Sequence, residues 1–169
     1  MKLTQRKAHC AGLLASIFFL SAIFSAGAVA ATVTGTANAT VIVPISISAG
    51  TALNFGTFAA NSAGGTVVIT TGGARSATGT VALSATTPGV AGTFTVTGNS
   101  GSTFAITNPG TFNVTSGANT MPVSLTGLAT TGTLTGGTAT IQVPGTLTVG
   151  AAQAPGNYTG TYSMIVEYN

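Results

Sequence analysis

The sequence predicts an all-β sandwich or barrel, and three observations carry that expectation. Alternation of apolar and polar residues with a period of two recurs along the chain, while no window sustains a helical period. Residues 31–169 contain 32 Thr, whose branched Cβ favours strands, and 22 Gly, which with all six Pro punctuate them as turns. Short apolar runs follow one another at close intervals, bounded by turn-forming sequences such as NSAGG, TTPGVA, GNSGS and TSGAN. Thr-x-Thr units recur without a fixed period, which argues against a solenoid. The alternation and the five Phe of this region argue for a packed core over disorder.

The elements are justified in chain order. Lys2, Arg6 and Lys7 form a basic start, Ala11 to Phe24 is apolar, and Ala28-Val29-Ala30 is a small-x-small cleavage site. That is the pattern of a secretory signal peptide over residues 1–30, so the chain is expected to be exported through the periplasm to the cell surface or beyond. The apolar run is short of the roughly 20 residues that a membrane-spanning helix needs, so no transmembrane segment is expected in the mature chain. Cys10 precedes the apolar run, where a lipid-anchor cysteine would follow it.

From Ala31 to Ser48 the odd positions are apolar or small, and the even positions are polar except for Ile42 and Pro44. The stretch reads as one long strand, or as two strands sharing a face, with Pro44 marking an edge, a bulge or a break. Residues 31–40 are set apart as an N-terminal extension, and 41–169 are expected to form the β-sandwich domain. Strands are expected at LNFGTF (53–58), TVVIT (66–70), GTVALSA (79–85), GTFTVTG (92–98), TFAIT (103–107), TFNVT (111–115), MPVSLTG (121–127), TATIQV (138–143) and TLTVG (146–150). A final strand is expected within GNYTGTYSMIVEYN (156–169). Arg75, in GGARSA, reads as a solvated loop residue.

Composition excludes most chemistry. Three of the four basic residues, the only His and the only Cys fall in residues 1–30, so residues 31–169 carry one cation, Arg75, and one carboxylate, Glu167. They contain no His, Cys, Lys, Asp or Trp. A Ser nucleophile has no base, a carboxylate dyad has no second member, and neither a tetrahedral zinc site nor a calcium cage can be assembled. No enzyme activity, no cofactor and no metal are expected. Nucleic acid is excluded as a partner, because one Arg cannot neutralise a phosphate backbone. Without Cys there is no disulfide, and the fold rests on packing and main-chain ladders. A nearly uncharged surface also lacks the Lys residues that usually blunt exposed strand edges. It suits a protein whose edges are paired with neighbours.

The C-terminal fourteen residues concentrate what the rest lacks. They hold all three tyrosines, Tyr158, Tyr162 and Tyr168, and the only acidic side chain, Glu167. Tyr158, Gly160, Tyr162, Met164, Val166 and Tyr168 fall on one face of a strand. With Gly156 fourteenth from the end and Tyr168 penultimate, this segment resembles the C-terminal strand of fimbrial subunits of the bacterial chaperone–usher pathway. The middle of the chain, in LNFGTF, FTVTG with GSTFAIT, and GTLTVGAAQAPGNYTGTY, also resembles a group of pilin-like secreted bacterial β-domains of uncharacterised function.

The resemblance implies an immunoglobulin-like, Greek-key sandwich that lacks one strand and is completed by a donor strand. It implies a periplasmic chaperone and an outer-membrane usher as partners, then other fimbrial subunits or copies of the same chain. Gly156, Tyr158, Tyr162, Met164, Val166 and Tyr168 would form the acceptor strand that the chaperone reads. Val33, Gly35, Ala37 and Ala39 would be the knobs of the donor strand. Such donors usually carry bulky residues, and these are small. The alternative expectation is a self-contained secreted domain, adhesin-like or of a matrix, that binds a surface or carbohydrate. A flat, aligned face of Thr-x-Thr units would favour binding to ice or carbohydrate.

Overall fold

The structure is a computed structural model and describes residues 29–169. The expected signal peptide, apart from its last two residues, lies outside the described residues. Among the described residues there are thirteen strands and no helix. They are β1 (Ser46–Ala49), β2 (Phe58–Ala59), β3 (Gly65–Ile69), β4 (Arg75–Gly79), β5 (Ala82–Leu83), β6 (Gly92–Thr97), β7 (Thr103–Thr107), β8 (Thr111–Ser116), β9 (Asn119–Ser124), β10 (Thr131–Thr133), β11 (Thr138–Val143), β12 (Gly145–Val149) and β13 (Ile165–Tyr168). Every pairing is antiparallel. The sheet orders are β4-β3-β12-β9-β8, β1-β6-β11, β10-β7-β13 and β2-β5.

The protein is a β-sandwich, and its alternation decides what is inside. In the five-stranded sheet, Val67 and Ile69 of β3, Met121 and Val123 of β9, and Leu147 and Val149 of β12 are buried. They form one cluster with Val96 of β6, Phe104 and Ile106 of β7, and Ile141 and Val143 of β11. The intervening Thr140, Gln142 and Thr148 are exposed. Fully burying one such side chain stabilises a fold by about 1.5–3 kcal/mol. With no cysteine among residues 31–169, this apolar cluster and the ladders hold the chain together. No buried side-chain nitrogen or oxygen among the described residues lacks a hydrogen-bond partner.

Two long ribbons run across the sheet boundaries. Residues 46–59 follow residues 82–97 throughout, with Ser46 opposite Thr97, Asn54 bridged to Val90, and Phe58 opposite Leu83. Residues 103–116 likewise follow the C-terminal segment, with Phe104 opposite Tyr168, Thr107 opposite Ile165, and Thr115 bridged to Thr159.

The strands expected at 53–58 and 79–85 are cut down to β2 and β5 of two residues each, and the structure departs from expectation in three further places. Residues 30–45 are in no strand, and the ladder begins at Ser46, two residues after Pro44. A proline has no N–H to give to a ladder, and its ring constrains the residue before it. GGARSA, read as a loop, supplies the start of β4, which pairs with β3 from Ile69–Arg75 to Gly65–Gly79. Arg75 is consequently half-buried. Its Nη1 donates to the carbonyls of Phe55, Thr57 and Thr87 at 3.1, 3.3 and 3.0 Å, and its Nη2 donates to that of Ser84. The third departure is β10, a short strand in a Gly- and Thr-rich stretch with no bulky side chain.

Candidate functional site

The two ribbons each leave one edge bare. Among the described residues, 46–59 pair with 82–97 and have no strand on their other side, and the C-terminal segment pairs only with β7 and β8. At one end the two bare edges come together. There the Tyr168 hydroxyl donates to the carbonyl of Val43 at 2.7 Å and accepts from the Asn99 N–H at 2.6 Å. One phenol thus ties the last strand to the β6–β7 turn and to Val43, three residues ahead of β1.

Away from that end the edges part, and a groove of about 990 Å³ opens between residues 52–60 and residues 153–162. Its floor is made by Phe112 and Val114 of β8, Met121 of β9 and Leu147 of β12. None of its lining residues is charged. The walls are apolar and incompletely covered: Leu53, Phe55, Phe58, Tyr158 and Tyr162 pack on the core but remain half-buried.

Local sequence explains these walls. Alternation along the C-terminal segment places Tyr158, Tyr162, Met164, Val166 and Tyr168 inward and Thr161, Ser163, Ile165 and Glu167 outward. Tyr162 lies against Phe112 in a stacked arrangement, with ring centroids 4.9 Å apart, and meets Phe94 edge-on at 5.9 Å. Burial pushes the Tyr162 phenol above its ordinary pKa. Tyr158 is fixed differently: its hydroxyl donates to the Ala154 carbonyl at 2.8 Å and accepts from Gln153 Nε2 at 2.8 Å.

The main-chain hydrogen bonds that each wall makes run to one side, and among the described residues none runs across the groove. Thr159 exchanges both of its main-chain bonds with Thr115, at 2.8 and 3.0 Å. In an antiparallel pair the flanking residues aim their N–H and C=O groups away from that partner. Residues 160–164 make no main-chain bond to any described residue. An open sheet edge with unpaired donors and acceptors is a template for another strand.

Of the sequence-selected acceptor residues, Gly156, Tyr158 and Tyr162 line the groove. Met164, Val166 and Tyr168 lie further along the same segment, half-buried against the core and towards the end where the edges meet. The sequence-selected donor residues Val33, Gly35, Ala37 and Ala39 are exposed and lie in no strand. The sequence reading missed the opposite wall, residues 52–60. The signal was present in LNFGTF, a run with three bulky apolar side chains but interrupted by Gly56, whose φ of 69° bends the strand.

The outer faces also carry order. Across β1, β6 and β11 the register aligns Ser46, Thr97 and Thr138 in one row and Ser48, Thr95 and Thr140 in the next. No cluster of His, Cys, Asp or Glu that could hold a metal occurs among the described residues.

A family described as a domain of unknown function (DUF4402) matches residues 45–168. No curated protein and no solved structure matches the chain.

Proposed function

The chain belongs to the DUF4402 family, and from the geometry of its groove we propose that it is a structural subunit of a bacterial surface filament, assembled by insertion of a strand from a neighbouring subunit. The observation that supports this reading is the uncharged, aromatic-walled groove between two unpaired strand edges, in a chain whose residues 30–45 join no strand of their own. The inserted strand would add main-chain bonds along both walls and cover the half-buried side chains between them, which is strand addition to a sheet edge. A contact of this kind joins unlike surfaces of successive subunits, and builds an open filament where the rotation from one subunit to the next does not close.

The extension 31–40 is the candidate donor. It is exported with the chain, processed at Ala30, and carried to the cell surface by way of a periplasmic chaperone that fills the groove in transit and an outer-membrane usher. The protein acts through shape and main-chain pairing, with no catalytic step and no cofactor.

The test compares residues 31–169 with residues 40–169, the latter being a compact unit by itself. The expected result is detergent-resistant polymers from the first, and a small species from the second that binds a peptide of residues 31–39. If both remain monomers and the peptide does not bind, the proposal fails.

The aligned hydroxyl rows on β1, β6 and β11 favour a second reading, a self-contained secreted domain that binds a surface or carbohydrate. Replacing Thr95 and Thr140 by Lys would abolish such binding while leaving filament assembly untouched.

A further inference from the structure

Resting on the strand-insertion reading, we propose that the groove is selective for its own kind: its aromatic side chains leave room only for a narrow-sided strand, and residues 31–39 of a second copy supply one. The usual division of volume is reversed here. The acceptor carries the large groups, with Phe55 and Phe58 on one wall, Tyr158 and Tyr162 on the other, and Phe112 on the floor. Each is half-buried, so each already occupies part of the cross-section. Tyr162 is held in place from two sides by Phe112 and Phe94, and Tyr158 by its two hydrogen bonds. The Tyr158 and Tyr162 rings are not free to swing aside for a bulky newcomer.

The segment Ala31–Ala39 answers that shape. Its odd positions are Ala31, Val33, Gly35, Ala37 and Ala39, none larger than Val, and its even positions are Thr32, Thr34, Thr36 and Asn38, suited to face water. As a strand these nine residues extend about 30 Å, and the wall 52–60 is itself nine residues long. Neither the side chains of the segment nor the groove lining carry a charge, and the α-ammonium of Ala31 stands at the end of the segment where it can stay in water, so docking need strand no ion without a partner. Gly35 has open space where a Cβ would stand, so a larger side chain there leaves the free chain unperturbed and is felt only on insertion. A strand with Leu, Ile or Phe at those positions would overpack the slot, so rejection of bulkier donors and acceptance of its own chain arise from the same rings.

The test uses the full mature chain, residues 31–169, carrying Gly35→Leu or Ala37→Phe. The proposal predicts an unchanged melting temperature of the monomer and at least an about tenfold slower rise in light scattering than the unmodified chain. It predicts further that Phe112→Ala in the same chain as Gly35→Leu restores assembly; where Phe112→Ala weakens folding by near-ultraviolet circular dichroism, Phe58→Leu serves in its place. Bulky-donor chains that assemble as fast as the unmodified one would overturn the size selection and leave strand insertion standing. An unmodified chain that never assembles would overturn both.

Discussion

Arg75 is the single cation of residues 31–169, and the structure spends it on the backbone. Its guanidinium gathers the carbonyls of Phe55, Thr57, Ser84 and Thr87, and so pins the kinked segment 55–57 that forms one wall of the groove. Arg75→Met keeps much of the apolar stem and removes every donor. Charged hydrogen bonds of this kind are worth about 1.5–3 kcal/mol, so we expect urea unfolding to show a loss of about 2–3 kcal/mol. A second residue-scale consequence concerns Tyr162. Its phenol is raised by burial, so the folded state holds the proton more tightly than the unfolded chain does. That contribution is fully present below about pH 10, the unfolded value, and is lost as the pH rises from there through the folded value. Chemical unfolding at pH 9 and pH 11 should therefore show lower stability at the higher pH, with the difference reduced in Tyr162→Phe.

At the scale of elements, the strands that were legible in the sequence are those that bury alternate bulky residues. TVVIT, GTFTVTG, TFAIT, TATIQV and TLTVG each became part of a strand, because their apolar positions had a core to face. β4 and β10 were not legible, for opposite reasons. β4 has the sequence RSATG and fills a sheet edge through main-chain pairing with β3, so side-chain pattern carries no trace of it. β10 is TGT, and its centre is defined by the absence of a side chain: a Cβ on Gly132 would collide with the Phe104 ring. The strand lies flat on that ring. Gly132→Val should cost about 1–3 kcal/mol, the usual penalty for overpacking a core, read as a drop in melting temperature. If its stability is unchanged, β10 is not held against Phe104. The long run 31–48 illustrates the converse, since a clean alternation is a statement about a face and not about a partner. Only residues 46–49 found a neighbouring strand.

At the scale of the whole molecule, one wall of the groove was legible and the other was not. The Tyr-rich C-terminal segment announced itself because aromatics are scarce elsewhere, whereas residues 52–60 looked like one more short strand. What sequence could not convey is that both segments lie at bare edges and diverge, since that depends on pairings between residues as far apart as Thr115 and Thr159, or Asn54 and Val90. The near absence of charge gains its meaning at this scale as well. A lining without a single ionised group is a surface that loses little on being covered by another uncharged strand.

The measurement that tests the central claim most directly is site-specific cross-linking of the full mature chain with a photoreactive residue at position 34, on the face of the segment turned away from the rings. Mixing isotopically labelled and unlabelled copies separates intermolecular from intramolecular products in the mass spectrum. The account predicts intermolecular cross-links that map to residues 52–60 and 153–162 and disappear in the presence of excess peptide 31–39. Cross-links confined to the same molecule, or scattered over the outer sheet faces, would contradict it.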